Sequence, residues 1–148
     1  MKKENIVASA KAILKNKLEE IEKAILNVQN AANEESKSSM GDKYETGRAM
    51  AQNDRAMLEN QKNELLKDIA TFENTNFEQQ SDLIKNGSLV HTSIGYLLVS
   101  ISLGKVTEEN TAVMLISSAS PLGTIILGKK TNESVVMNGR QIKIQGIY

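Results

Sequence analysis

Asp42 and Glu45 stand three residues apart within Gly41-Asp42-Lys43-Tyr44-Glu45-Thr46-Gly47, between two long stretches of helical period. Two acids so spaced at a helix start come close to a capping box. The first accepts from first-turn amides and the second lies near the positive end of the helix dipole. A capping carboxylate keeps a second oxygen free, so the pair can cap a helix and still present charge to another molecule. Gly41 and Gly47 mark turn geometry, and Tyr44 reads equally as a contact at the tip or as a packing residue. Other candidates are weaker. His91 is the single histidine and lies in a strand-like run without nearby acids. Ser120 has no histidine partner and reads as a helix cap, and Met50 and Met57 read as seam filling.

The acids must be positioned by the flanking elements, which the apolar spacing defines. Leu14, Leu18, Ile21, Ile25, Val28 and Ala32 follow in steps of four and three, the 3.5-residue period of a coiled-coil seam. This predicts a first helix over about residues 6–32. Ala51, Leu58, Leu65 and Phe72 are seven apart, with Ile69 at the intermediate seam position, and predict a second helix over about 45–73. Each seam is too narrow to be stable alone. A short connection makes an antiparallel coiled-coil hairpin the simplest solution.

Near Asn74 the period breaks. Asn74-Thr75-Asn76-Phe77-Glu78-Gln79-Gln80-Ser81 is rich in residues that prefer turns and caps. Beyond Ser88 the apolar residues become β-branched and alternate or run together, as in Tyr96 to Ile101, Ala112 to Ile116 and Ile142 to Ile147. Asn138-Gly139 between the last two runs is a type I′ hairpin pattern, and Ser120-Pro121 reads as N-cap and first position of a short helix ending at Gly128. The expected class is α+β: a hairpin over 1–73 with an acidic tip, a linker over 74–85, and a small antiparallel sheet domain with one short helix over 86–148.

Composition narrows the function classes. The chain has 148 residues and no cysteine, which excludes a disulfide framework and thiolate metal sites. Its 18 basic and 18 acidic residues balance, leaving no electrostatic footprint for independent nucleic-acid binding. No apolar run approaches the roughly 20 residues of a membrane span, and Met1-Lys2-Lys3-Glu4-Asn5 leads into a polar helix rather than a signal-peptide core. A cytoplasmic protein without a membrane partner is expected.

The C-terminal part carries a resemblance. Ile116-Ser117-Ser118-Ala119-Ser120-Pro121-Leu122-Gly123, then Ile126-Leu127-Gly128-Lys129-Lys130, and a final strand ending Ile144-Gln145-Gly146-Ile147 resemble the C-terminal domain of the Gre family of bacterial transcript cleavage factors. The order of parts is also similar. The resemblance implies an FKBP-like fold for the sheet domain, docking on RNA polymerase through Ser120, Pro121, Leu122, Gly123, Lys129 and Lys130, and a coiled coil that enters the secondary channel. Prolyl isomerase activity is not expected, because such pockets need an aromatic lining and this domain offers only Tyr96 and Tyr148.

The family's tip motif is similar to Gly41-Asp42-Lys43-Tyr44-Glu45. By that resemblance Asp42 and Glu45 assist in trans: they would hold the second Mg²⁺ of the polymerase, only in the complex, and support hydrolysis of backtracked RNA by a two-metal route. The protein is then expected to act as a monomer, with no cofactor of its own and no enzymatic activity of its own. Its partner is RNA polymerase, and the nascent RNA only indirectly. After Glu45 the chain departs from the family pattern, with Thr46-Gly47-Arg48 in place of a further acidic helix. Gly47 costs about 1 kcal/mol in a helix interior, and Arg48 is basic where acid is expected. Two alternatives therefore stand beside cleavage stimulation: a channel-binding regulator without it, and a plain coiled-coil interaction module.

Overall fold

The computed structural model describes the backbone of residues 2–35 and 41–148 and the side chains of residues 2–31 and 47–148. The protein is α+β. Helices α1 (Lys3–Glu35) and α2 (Gly41–Glu73) precede strands β1 (Leu89–Thr92), β2 (Gly95–Ser100), β3 (Gly104–Glu108) and β4 (Thr111–Ser117), helix α3 (Pro121–Ile126), and strands β5 (Ser134–Met137) and β6 (Arg140–Ile147). Two compact units divide the chain. One comprises Met1–Ala12 and Ala70–Tyr148, the other Ile13–Ile69. The division falls inside α1 and α2, so the linker expected at 74–85 lies wholly within the first unit.

In the Ile13–Ile69 unit the residues with coiled-coil spacing are the ones withdrawn from water. Leu14, Ile25 and Leu65 are buried, and Leu18, Ile21, Val28, Leu58 and Ile69 are half-buried. No glycine or proline occurs before Gly41, so nothing in α1 opposes a long helix. Lys62 Nζ stands 3.7 Å from Glu22 Oε1. The Gln29 amide, oriented with its oxygen toward Arg55, accepts from both Nη atoms at 3.0 and 3.2 Å. Such exposed pairs contribute at most about 1 kcal/mol each, so they set register more than stability.

In the other unit the six strands form one sheet in the order β3-β4-β2-β1-β6-β5. It is mixed, which corrects the antiparallel sheet expected from sequence: β2 and β4 pair in parallel, Tyr96 with Val113 through Ser100 with Ser117. In the sheet β3 stands one position away from β2, with β4 between them. Glu109 and Asn110, both at positive φ, form a two-residue turn between Glu108 and Thr111 that returns β4 antiparallel to β3 and therefore parallel to β2. The expected hairpin at Asn138-Gly139 is present, with both residues at positive φ and Met137 paired with Arg140.

Successive strand residues point to opposite faces. Burial of Leu97, Leu98, Val99 and Ser100 in a row therefore means that both faces of β2 are covered. On one face Val90, Leu97, Val99, Ile116, Ile142 and Ile144 pack with Ile126 of α3 and with Ile84. Ile84 thus belongs to the core although it falls in the expected linker. Toward the other face Leu98, Val106, Val113 and Leu115 are buried, and the first unit also buries Ile6, Ala10 and Phe72 from the helix ends. Hydrogen bonds from Ser9 Oγ to Glu108 Oε2 (2.8 Å) and between Thr75 Oγ1 and Ser100 Oγ (2.9 Å) join those helix ends to β3 and β2. The polar segment after α2 is held locally as well. Asn76 Oδ1 accepts from the amides of Glu78 and Gln79, and Gly87, at φ +93°, packs so closely on the Asn76 carbonyl that any Cβ there would collide with it.

Candidate functional site

α3 has six residues, too few to persist on helix propensity alone, so its ends must hold it. At the N-terminus Ser120 is the cap. Its Oγ accepts from Gly123 N at 3.0 Å and donates to Ser117 O at 2.6 Å, while Pro121 occupies the first turn, where a missing N–H costs nothing. Ser117 organises the approach: its carbonyl also accepts from Ser120 N, its Oγ accepts from Ala119 N, and its own amide donates to Ser102 Oγ. Gly123 is buried against the Ser117 carbonyl with no room for a Cβ.

The exit of α3 is tied to Ile84. Gly128, at positive φ, donates to Ile84 O at 2.8 Å, and Ile84 donates to Lys129 O at 2.9 Å. Lys130 bridges to Leu83, and its amide donates to Glu133 Oε2 at 2.7 Å. Ser120, Pro121, Leu122, Gly123, Lys129 and Lys130 are thereby brought together on one capped turn and its exit. They divide by accessibility. Pro121 and Lys130 are exposed, Lys129 is half-buried, Leu122 packs against the core, and Gly123 is interior. Among the described residues neither lysine ammonium has an acid partner, and the exit carries these two cations beside the Glu133 carboxylate that holds the Lys130 amide. The Ser120 proton is engaged by a carbonyl and has no base beside it, so this arrangement suits recognition rather than nucleophilic chemistry.

No protein-family model and no curated protein matches the chain.

α2 begins at Gly41, about four residues before the expected start, so Asp42 and Glu45 lie on its first turn rather than ahead of it. Their side chains, with that of Tyr44, lie outside the described residues. Among the described residues no group of three or more His, Asp or Glu is arranged to hold a metal ion, and no helix is long and apolar enough to cross a membrane. His91 stacks on Tyr96 with ring centroids 4.3 Å apart and an interplanar angle of 13°, a packing role.

Sequence reasoning passed over Leu83 and Thr124 and quoted Leu127 only within the resemblance, not as a site residue; all three are exposed around the same turn. Thr124 was detectable, since a hydroxyl at the fourth helical position commonly bonds back to the first turn, as it does here to Pro121 O at 2.9 Å. Leu83 had no such signal, because its place depends on the long-range bridge to Lys130.

Proposed function

We propose that the chain is a Gre-like factor that docks on bacterial RNA polymerase through the α3 turn and stimulates cleavage of backtracked RNA. The observation that carries this reading is the α3 turn itself: the residues on which the resemblance rests form one locked unit that leaves Pro121 and Lys130 accessible. The reading takes the sheet unit as FKBP-like and α1 with α2 as an antiparallel coiled-coil hairpin. The cross-contacts support the antiparallel sense, since α1 advances from Glu22 to Gln29 as α2 recedes from Lys62 to Arg55. In such a pair the first turn of α2, with Asp42 and Glu45, lies at the end remote from Ile69. There the two carboxylates would hold the polymerase's second Mg²⁺, an ion that activates the attacking water in phosphodiester hydrolysis.

The test is RNA cleavage by an arrested elongation complex at limiting Mg²⁺, with and without the protein, alongside co-purification with the polymerase. Binding with faster cleavage supports the reading, and absence of binding removes it. A second reading, channel occupancy without stimulation, is favoured by Gly47 and Arg48 within the early turns of α2. Binding without faster cleavage would establish it.

A further inference from the structure

The sequence contains two Asn-Gly pairs, Asn86-Gly87 and Asn138-Gly139, and the fold places them in opposite chemical situations. An asparagine side chain can react with the backbone that follows it. The next residue's amide nitrogen attacks the side-chain carbonyl carbon, and glycine leaves that approach open because it has no Cβ. Reaction then requires that the nitrogen be free and that the backbone be able to rotate.

At Asn86-Gly87 neither condition is met. Gly87 N donates to Val99 O at 2.7 Å, and Gly87 is buried close against the Asn76 carbonyl. Bonds from Ser88 N to Lys85 O and from Lys85 N to Ser88 Oγ close the same turn. Val99 belongs to β2, an interior strand paired with β1 and β4, so freeing Gly87 N disturbs the middle of the sheet. Asn138 and Gly139 are both exposed, and nothing lies within 4 Å of the place a Gly139 Cβ would take. Among the described residues neither the Asn138 side chain nor Gly139 N has a hydrogen-bond partner. Their turn ends β5, an edge strand whose only neighbour is β6. Opening the end of such a hairpin costs far less than opening the interior of the sheet.

We propose that Asn138 is a site of spontaneous deamidation and isoaspartate formation, and that the fold protects Asn86 from the same reaction. Gly139 N bonds to Cγ of Asn138, the Cγ–Nδ2 bond breaks, and ammonia leaves with the Gly139 amide proton. The product is a succinimide ring, to which water adds. Attack at Cγ breaks the new bond and leaves an aspartyl residue. Attack at the main-chain carbonyl carbon breaks the original peptide bond and leaves an isoaspartyl residue, with an extra methylene in the main chain. Either route consumes water and replaces a neutral amide by a carboxylate, with no oxidation or reduction. A two-residue type I′ loop has no room for the added methylene, so the isoaspartyl form loosens β5 from β6 where Val135 and Ile142 meet in the core. The proposal is independent of any polymerase partner.

The test follows both Asn-Gly pairs in the full chain during incubation in neutral buffer, folded and in concentrated guanidinium chloride. Peptide mass spectrometry reads conversion, and electron-transfer fragmentation separates isoaspartyl from aspartyl products. In the folded chain Asn138 is expected to convert about tenfold or more faster than Asn86, because only its turn opens cheaply. In denaturant the two rates should come within about threefold of each other, since the reacting dipeptide is the same and the fold no longer separates the sites. The isoaspartyl fraction should lose hydrogen-exchange protection in β5 and β6 ahead of the other strands. Asn138→Gln, whose longer side chain closes a ring far more slowly, should keep its protection through the same incubation. Equal rates at the two sites in the folded chain overturn the proposal, as does an Asn138 that reacts only in denaturant. Conversion to aspartate without isoaspartate removes the cyclic route, and unchanged protection in the isoaspartyl fraction removes the effect on the hairpin.

Discussion

Gly123 lies against the carbonyl oxygen of Ser117 so closely that a Cβ on the glycine would collide with backbone, not with a movable side chain. Ser117 cannot withdraw, since its carbonyl also accepts from Ser120 Oγ and Ser120 N. Gly123→Ala is expected to destabilise the sheet unit by about 2–3 kcal/mol, in the range of overpacked interiors. Urea unfolding of the full chain checks this, and a change below about 0.5 kcal/mol would show that the turn can open freely.

Ser120 should behave as a cap and not as a reactive group. Ser120→Ala is expected to cost about 1 kcal/mol, while Ser120→Thr, which keeps a hydroxyl for Gly123 N, should remain within a few tenths. Thermal unfolding of both variants distinguishes the cap from a merely space-filling side chain.

Gly139 poses the opposite problem from Gly123. It has open space where a Cβ would stand but a φ of +77°, so Gly139→Ala meets backbone strain alone, about 1–2 kcal/mol for an L-residue in the left-handed region. The loss should appear as reduced hydrogen-exchange protection in β5 and β6. Equal loss across all strands would argue against a local cause.

For the acids, Asp42→Asn with Glu45→Gln keeps the side-chain shapes on the first turn of α2 while removing both charges. Stability should fall by no more than about 1 kcal/mol, the size of a charge–dipole interaction at a helix start. Under the proposed function, binding to the polymerase should survive and cleavage stimulation should collapse, with partial recovery at higher Mg²⁺. Unchanged stimulation would reduce the pair to first-turn charges at the positive end of the α2 dipole.

Lys3 gives a pH dependence of fixed sign. Its folded-state pKa lies below the unfolded 10.5 because burial, and then Lys85, disfavour the charged form. Between the lowered value and 10.5 the unfolded chain binds more protons, so the Lys3 contribution to stability rises with pH through that window and is constant below it. Lys3→Met should lack this rise. Denaturant midpoints of parent and variant compared across alkaline pH would test it, and parallel curves would contradict the assignment.

The sequence by itself determined what is local. A 3.5-residue apolar period runs through Leu14, Leu18, Ile21 and Ile25, and it marks a helix face wherever the helix ends up. Asn138-Gly139 favours positive φ whatever strands it joins, and Ser120-Pro121 starts a helix through bonds spanning only three residues. The α+β class and the capped turn of the candidate site followed from these. Tertiary structure alone decided the non-local choices. Alternation along β2, β3 and β4 is the same whether the strands meander or β4 slips between its predecessors, and the Glu109–Asn110 turn serves either; the non-local parallel β2–β4 pairing selected the second. Ile84 looked like linker because two adjacent apolar residues, Leu83 and Ile84, set no period. It became core through backbone bonds to Gly128 and Lys129 more than forty residues away. Ile6 opens the first expected helix and Ala10 lies one turn further on, ahead of the seam that starts at Leu14, and both are buried in the unit that contains the sheet. An apolar helix face specifies that it must be covered; which surface covers it is settled only when the whole chain competes for burial.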